Sequence, residues 1–246
     1  MDMEPGILFE DNHCLIIDKP AGLATQAPEP FPSLESWARK YLKQKYNKAG
    51  RPYLGIPHRL DRPVSGAVFF TRSSKAAARV AEQFRERSIS KRYLALVEGI
   101  IDPNSLENEC FWRDYISKVP DEPRAILCTK DDPGAKLAEL ETKFLKSSGN
   151  KTLLEINLHT GRMHQIRLQS SSRGFPIVGD FMYGSKENIA SNPSEKLILL
   201  HSHYLRFLHP ISYKPVEIRS GLPGYFPKWA SDFIQNDFYS AFLERP

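Results

Sequence analysis

Residues 58–70 place one acidic side chain, Asp61, between two arginines, Arg59 and Arg62, directly ahead of small residues and an apolar segment. Nearby opposite charges favour the ionised form of an acid, so we expect Asp61 to be an anion at neutral pH. An ionised carboxylate among basic groups can act as a nucleophile or a base on a polyanionic substrate. The alternative is a structural ion-pair cluster on the surface, because such clusters also bring opposite charges together.

Further runs of distinctive composition accompany this one in a defined order along the chain. They occupy residues 18–23, 91–99, 160–167 and 176–184, and an apolar, histidine-containing run follows at 200–210. Together with residues 58–70 they resemble the RluA-type family of RNA pseudouridine synthases, and the resemblance extends over about residues 7–222. It implies an isomerase that converts specific uridines in structured RNA to pseudouridine through a flipped-out base, with no cofactor and no metal.

The resemblance also assigns roles to individual residues. It implies that Asp61 is the catalytic aspartate, that Arg167 pairs with it, and that Tyr93 stacks on the target base. An aromatic face suits a flipped uracil because stacking does not demand one hydrogen-bond pattern. It further implies that Arg59 fills the space left by the flipped base, and Arg62 is assigned to substrate binding with it. The alternatives are a helix-surface position for Arg167, a core position for Tyr93, and a phosphate contact or a plain surface pair for Arg59.

Other residues of these runs receive less specific roles. Ile177 and Leu168 are expected to line or support the pocket, although apolar residues at such positions usually belong to a core. Lys19 and Asp180 are expected to be structural or to contact RNA. Val64 stands where the family commonly has threonine, and this departure bears on the choice of substrate more than on the chemistry.

Composition and charge agree with these expectations without being specific. The net charge of +5 and the pI near 9.0 fit an RNA partner, but many unrelated enzymes share such values. The three cysteines are scattered and odd in number, which suits a reducing compartment. No signal-peptide pattern and no apolar run of bilayer length is visible, so we expect a cytoplasmic monomer without membrane contacts.

The spacing of apolar residues predicts the elements that must hold these side chains in place. Strands are predicted at residues 7–10, 13–18, 67–71, 92–97, 139–146, 151–159, 197–208 and 216–219. Helices are predicted to start after Ser33 and after Ser73 or Ser74, and to cover 162–172 and 226–233. Frequent hairpins indicate an α+β fold with a mixed, mostly antiparallel central sheet flanked by helices. The resemblance adds a central cleft.

We expect one catalytic domain over residues 1–246, with its core at 7–222 and a C-terminal extension at 223–246. Residues 102–136 are the least regular part and allow two short strands. The first strand begins near residue 7, so the small S4-type RNA-binding module of many family members is expected to be absent. An enzyme without that module relies on its own cleft and on local RNA shape, which favours transfer RNA, with ribosomal RNA a close second.

Two other functions remain open at the level of sequence. His201 and His203 share one face of a predicted strand and His209 lies close by, so a metal-dependent hydrolase is conceivable. No acidic residue completes a recognised ligand spacing there. The second alternative is an RNA-binding protein that kept this fold and lost its activity. The presence of all three matched catalytic residues argues against it.

Overall fold

A computed structural model describes residues 4–104, 110–189 and 197–238 of the chain. Within these ranges ten strands form one sheet. The strands are β1 (Gly6–Glu10), β2 (Cys14–Lys19), β3 (Ser65–Thr71), β4 (Ser90–Glu98), β5 (Phe111–Lys118), β6 (Ala125–Cys128), β7 (Lys136–Ser148), β8 (Lys151–Leu158), β9 (Leu200–Leu208) and β10 (Pro215–Arg219). Every strand predicted from the sequence is present, and β5 and β6 are the two short strands allowed within 102–136. Residues 105–109 of that region lie outside the described ranges.

The strand order is β1-β2-β3-β9-β4-β8-β7-β5-β6, and β10 pairs with β9. Among the described strands, β3 and β9 are the one parallel pair, joined at Ser65–His201 and Gly66–Ser202. Each of the other pairs is antiparallel. The predicted mixed, mostly antiparallel sheet is therefore confirmed. The long-range insertion of β9 between β3 and β4 brings the middle of the chain next to its last third.

Four α-helices flank the sheet in the part of the chain that the structure describes. They are α1 (Leu34–Lys45), α2 (Ser74–Arg85), α3 (Gln165–Ser172) and α4 (Lys228–Phe233), and a π-helix, Ile234–Phe238, continues α4. The hydroxyl of Ser33 accepts a hydrogen bond from the Ser36 backbone N–H and caps α1, as predicted. Ser73 caps α2 in the same way, through the Ala76 N–H. None of these helices is long and apolar enough to cross a membrane.

Helix α3 begins three residues later than the predicted start at 162. Gln165 supplies the reason, because its side-chain carbonyl accepts hydrogen bonds from the Thr160 hydroxyl and the Arg162 backbone N–H. These bonds hold residues 160–164 in a turn. His164, the residue before the helix, has a left-handed backbone with φ of 52°. This turn presents His164 and Arg167 to the loop that carries Asp61.

Both faces of the sheet are covered at its centre, because neighbouring strand residues point to opposite sides. One face packs against α1, through a cluster that contains Leu15, Ile17, Val68, Phe70, Leu34, Ala38 and Leu42. The other face packs against α2 and α4, through clusters that contain Ile16, Phe69 and Val80, and Leu94, Leu96, Phe226, Ala230 and Ile234. Residues beyond 222 thus pack on the sheet, and the division into a core and an extension stays a prediction.

Candidate active site

The loop before β3 holds Asp61 close to the start of that strand. The Thr25 hydroxyl donates to the Leu60 carbonyl at 2.8 Å and accepts from the Leu60 N–H at 3.1 Å. The Val64 N–H donates to the Asp61 carbonyl at 3.1 Å and closes a turn. These contacts fix the backbone on both sides of Asp61, whose side chain is 33% exposed. The carboxylate is therefore anchored through its backbone and open to a ligand.

Arg167 on α3 joins Asp61 to a second, buried carboxylate. Its Nε and Nη2 donate to the two oxygens of Asp180 at 2.6 and 2.8 Å, while Nη1 donates to Asp61 Oδ2 at 3.4 Å. Burial alone would lower the pKa of Arg167, but the ion pair with Asp180 outweighs it and the net pKa is raised. The guanidinium is thus permanently charged and held by Asp180, with one nitrogen left for Asp61.

His164 is a second neighbour of the Asp61 carboxylate. Its Nε2 lies 3.6 Å from Asp61 Oδ2, and its Nδ1 lies 2.9 Å from the Tyr183 hydroxyl. Burial lowers the pKa of His164 and outweighs the opposite effect of Asp61, so the ring is neutral near pH 7. A neutral ring orients the carboxylate through a contact rather than a charge. Its left-handed backbone is a rare conformation for a residue with a side chain, and such strain is common at functional sites.

Tyr93, on β4, is the third of the candidate catalytic residues. It is buried in the cluster that also contains Leu60, Ile166 and Ile177. Burial raises the pKa of Tyr93 and outweighs the lowering effect of Ser202, and the negative charge of Asp61 raises it further. The phenol therefore stays protonated and lies within electrostatic reach of Asp61. It can offer a ring face or a hydroxyl to a ligand, but it does not serve as a base at neutral pH.

Lys19, at the end of β2, holds the backbone of the Asp61 loop through hydrogen bonds. Its ammonium donates to the carbonyls of Pro20, Leu23 and Arg62 at 2.9, 2.7 and 3.2 Å, and the side chain is fully buried. Burial lowers the pKa of Lys19 to about 7, and Asp61 opposes that shift. Three acceptors need three N–H donors, so the protonated form is the one that fits. Of the two predicted roles, the structure shows the structural one.

The expectation that Arg59 and Arg62 flank the Asp61 carboxylate is wrong. Among the described residues, Arg167 is the ion-pair partner of the Asp61 carboxylate and the neutral ring of His164 lies 3.6 Å from it, whereas no guanidinium nitrogen of Arg59 or Arg62 lies within 4.0 Å. Arg62 is exposed and donates from Nε to the Gly22 carbonyl at 2.7 Å. Arg59 is exposed on the same loop. The substrate-binding roles of Arg59 and Arg62 stay predictions.

The two apolar candidates lie in different places. Ile177 is fully buried in the same cluster as Tyr93, and its backbone pairs with Val97 on β4. It supports Tyr93 rather than lining open space. Leu168 packs in a separate cluster with Ile116 and Tyr183, the tyrosine whose hydroxyl lies 2.9 Å from His164. Its predicted pocket role stays a prediction.

The histidines considered for a metal site do not meet. His201 Nδ1 lies 2.9 Å from the Ser65 hydroxyl, and His203 Nε2 lies 3.1 Å from Glu155. His209 belongs, within the described ranges, to a cluster with Asp11 and Cys14 that has metal-type side chains. His209 Nδ1 accepts hydrogen bonds from two backbone N–H groups, so its proton is on Nε2 and is donated to Asp11. That ring has no lone pair left for a cation.

Two contacts of the site are not predicted by the sequence. The sequence predicts a structural or RNA-contacting role for Asp180, and the structure shows that Asp180 holds Arg167 more tightly than Asp61 does. The sequence assigns no role to His164, which lies 3.6 Å from Asp61. Both residues stand inside the distinctive runs at 160–167 and 176–184. The available signal was that one run carries Arg167 and the other carries Asp180, which are opposite charges that can pair.

Comparison with known proteins agrees with the geometry. A family model described as RNA pseudouridylate synthase matches residues 13–172. Ribosomal large subunit pseudouridine synthase C of Rickettsia felis is 33% identical over 221 residues, which cover 89% of this chain and 68% of that protein. Ribosomal large subunit pseudouridine synthase D of Xanthomonas campestris is 29% identical over 253 aligned positions, which cover 99% of this chain and 74% of that protein.

Two solved structures share the fold. Human RNA Pseudouridylate Synthase Domain Containing 4 superposes with a TM-score of 0.70 at 22% identity, over 90% of each chain. Human RNA Pseudouridylate Synthase Domain Containing 1 gives 0.67 at 23% identity, over 99% of this chain and 96% of that one. At these identities the likeness establishes the architecture alone. The family model and the sequence relatives carry the assignment further: this chain belongs to the RluA-type family of RNA pseudouridine synthases, and it is an isomerase of that kind.

Proposed function

We propose that Asp61 is the catalytic carboxylate of this pseudouridine synthase. The observation that supports the proposal is the asymmetry of the ion-pair chain: Arg167 and Asp180 are buried, whereas the Asp61 carboxylate is one-third exposed. A buried guanidinium held by one acid can orient a second acid at the surface without competing for its other oxygen. In the part of the chain that the structure describes, the side-chain contacts of Asp61 are all made by Oδ2, so Oδ1 can meet a substrate.

The reaction breaks the bond between uracil N1 and sugar C1′ and forms a bond between C5 and C1′. The proton lost from C5 is balanced by one gained at N1, so no electrons are transferred and no group is added. Attack on the sugar and removal of a sugar proton both need an open carboxylate at a fixed position. The Thr25 and Lys19 contacts to the Asp61 loop supply that fixed position.

Tyr93 is proposed to hold the detached uracil. Its pKa is raised by burial, so the phenol carries no charge that would oppose a uracil anion. A protonated aromatic ring can stack on the base and keep it near the sugar while the glycosidic bond is broken. Arg59 is exposed on the same loop as Asp61 and is proposed to occupy the gap in the RNA that the flipped base leaves.

Large-subunit ribosomal RNA is the proposed substrate. The relatives named above are ribosomal large subunit pseudouridine synthases, and they cover most of this chain. Transfer RNA, the preference drawn from the sequence, stays an alternative prediction. A map of pseudouridine positions in cells with and without the gene distinguishes the two. We expect loss of signal at one or more large-subunit positions, and loss in transfer RNA alone would replace the proposed substrate.

The role of Asp61 is tested by Asp61→Asn, which keeps the shape of the side chain and removes its charge. Turnover of substrate RNA is expected to fall by at least about 1,000-fold, because a nucleophile or base is removed outright. Tritium release from RNA labelled at uracil C5 measures it. Asp131→Asn, at an exposed acid, is the matched control and should keep full activity. Retained turnover in Asp61→Asn would refute the assignment.

A further inference from the structure

Lys91 is a nearly buried lysine that has no counter-ion among the described residues. It is 9% exposed, and among the described residues its ammonium has no hydrogen bond and no ion pair. Lysine is almost never buried unless it is paired, because the desolvation of an ammonium is costly. A Cβ added at Gly161 would lie 4.0 Å from the Lys91 ammonium, so the ammonium is next to the turn at 160–164. The unmatched charge thus lies beside the turn that leads to His164 and Arg167.

The neighbours of Lys91 described next supply no negative charge to balance its ammonium. Its Nζ lies 5.8 Å from the centre of the Phe84 ring, a weak attraction. Arg87 adds a like charge, and that arginine has its own partner in Glu139 at 3.1 Å. His58 is buried, and burial together with the charge of Lys91 lowers the pKa of His58 to about 3. The ring is therefore neutral and supplies no negative charge.

Gly161 keeps the space in front of Lys91 open. A Cβ added at Gly161 would have one neighbour within 4 Å, the Lys91 ammonium at 4.0 Å. Gly161 is exposed and stands in the turn that leads to His164 and Arg167. The Lys91 ammonium therefore lies next to an exposed residue of the turn at 160–164, where an anion can approach it from the solvent side.

We propose that the ammonium of Lys91 binds a backbone phosphate of the substrate RNA next to the target uridine. A phosphate supplies the missing negative charge and can accept a charge-assisted hydrogen bond. Lys91 stands two residues from Tyr93, and His58 stands three before Asp61, so this position adjoins the proposed catalytic loop. The proposal rests on the RNA-modifying function. Burial lowers the pKa of Lys91 to about 8, and bound phosphate would keep it charged.

The first test measures RNA binding apart from turnover. Lys91→Met keeps the length of the side chain and removes its charge. Binding of substrate RNA in a filter assay should weaken about tenfold or more, because one charge-assisted contact is lost. The slope of log affinity against log salt concentration should also fall by about one phosphate contact. Lys228→Met is the matched control, because it removes the charge of an exposed lysine on α4.

A second pair of variants leaves Lys91 in place. Gly161→Asp puts a carboxylate beside the ammonium and should reproduce the loss of binding by competing with the phosphate. Gly161→Ala adds a methyl group at an ordinary contact distance and should bind nearly as the wild type does. This pair keeps the proposal testable if Lys91→Met folds poorly by circular dichroism. Equal binding by Gly161→Asp and Gly161→Ala would overturn the proposal.

The third test locates the phosphate. Substrate RNAs carry a neutral methylphosphonate at one position at a time around the target uridine. One position should weaken the wild type about tenfold and leave Lys91→Met unchanged, because the contact is already absent. Equal sensitivity of both proteins at every position would also overturn the proposal. Asp61→Asn should bind RNA normally, so a failure of the catalytic assignment would appear in turnover alone.

Discussion

Arg167 contacts two carboxylates at unequal distances, and the two contacts do different work. The short, two-bond contact with buried Asp180 sets where the guanidinium lies. The single 3.4 Å contact with Asp61 transmits that position to the acid at the surface. A side chain that acts through Arg167 is a positioning residue, and its loss should affect the rate more than the affinity.

Asp180→Asn tests this division of work. The amide keeps one acceptor for Arg167 but loses the charge, so the guanidinium is held less firmly. We expect kcat to fall about tenfold to a hundredfold while KM for substrate RNA changes little, because misplacement acts on the reacting geometry. Steady-state kinetics measures both constants. A rise in KM with kcat unchanged would contradict a positioning role.

Asp114 provides the control for that variant. It accepts a hydrogen bond from Arg173, directly after α3, at 2.9 Å, and so pairs with another arginine of the same region. Asp114→Asn should therefore lower stability slightly and leave kcat in place. Asp180→Glu, which restores the charge, should recover part of the lost rate.

The sequence predicted the matched residues Asp61, Tyr93 and Arg167, and the structure brings these three together. It did not predict that Asp180 would be the firm partner of Arg167. The order of the runs shows only where they stand along the chain. Which carboxylate, Asp61 or Asp180, holds Arg167 firmly depends on which of the two is buried. Burial at Asp180 follows from the turn at 179–184, and that packing has no local pattern in the sequence.

At the scale of elements, the short parallel contact between β3 and β9 fixes the loop that carries Asp61. Gly66 sits at this contact with φ of 109°. A Cβ there would overlap the Ser202 carbonyl oxygen and lie 2.7 Å from the Ser202 backbone nitrogen. Both the backbone angle and the close approach of the two strands therefore require glycine at this position.

Gly66→Ala is expected to lower the free energy of unfolding by about 3 kcal/mol, because the two strands must separate to admit the methyl group. Urea unfolding followed by circular dichroism measures the change. Gly221→Ala is the control, because Gly221 is exposed and a Cβ there meets no atom within 4 Å. A loss of stability no larger in Gly66→Ala than in Gly221→Ala would show that the strands are not in close contact.

Helix starts were predicted well because capping is local. Ser33 and Ser73 sit next to the helices that they cap, and each forms the expected bond. The start of α3 was missed because Gln165 holds the preceding turn through its side chain, a contact that spacing does not reveal. The position of β9 between β3 and β4 could likewise not be predicted from the sequence, since strand order depends on pairing across long stretches of chain.

At the scale of the whole molecule, the fold class was predictable because it follows from apolar alternation in many segments. An error in the boundary of any one segment does not change it.

The net charge is small, so stability against acid depends on particular buried groups. Two such groups are His58 and His201, whose pKa values are each lowered to about 3, first by burial and then by the charge of a neighbour, Lys91 or His203. In the unfolded chain both titrate near 6.5.

A histidine held neutral in the folded state stabilises the protein above pH 6.5, and that contribution is lost as the pH falls from 6.5 towards 3. Each histidine should cost about 2 kcal/mol of the free energy of unfolding between pH 7 and pH 5. Urea unfolding at the two pH values measures the drop. His58→Leu removes one such group and should reduce the drop by about 2 kcal/mol. An equal drop in variant and wild type would show that His58 does not titrate on unfolding.

The position of β9 in the sheet has a consequence for the nascent polypeptide during translation. Strands β1 to β3 neighbour one another, as do β4 to β8, so two half-sheets can form while the ribosome is still translating. One half carries Asp61 beside β3 and the other carries Tyr93 on β4. Until about residue 208 has emerged, the facing edges of the halves stay open, which is the condition under which chaperones act and aggregation begins. Catalytic competence is thus a late event in biosynthesis, gained when the last third of the chain closes the gap.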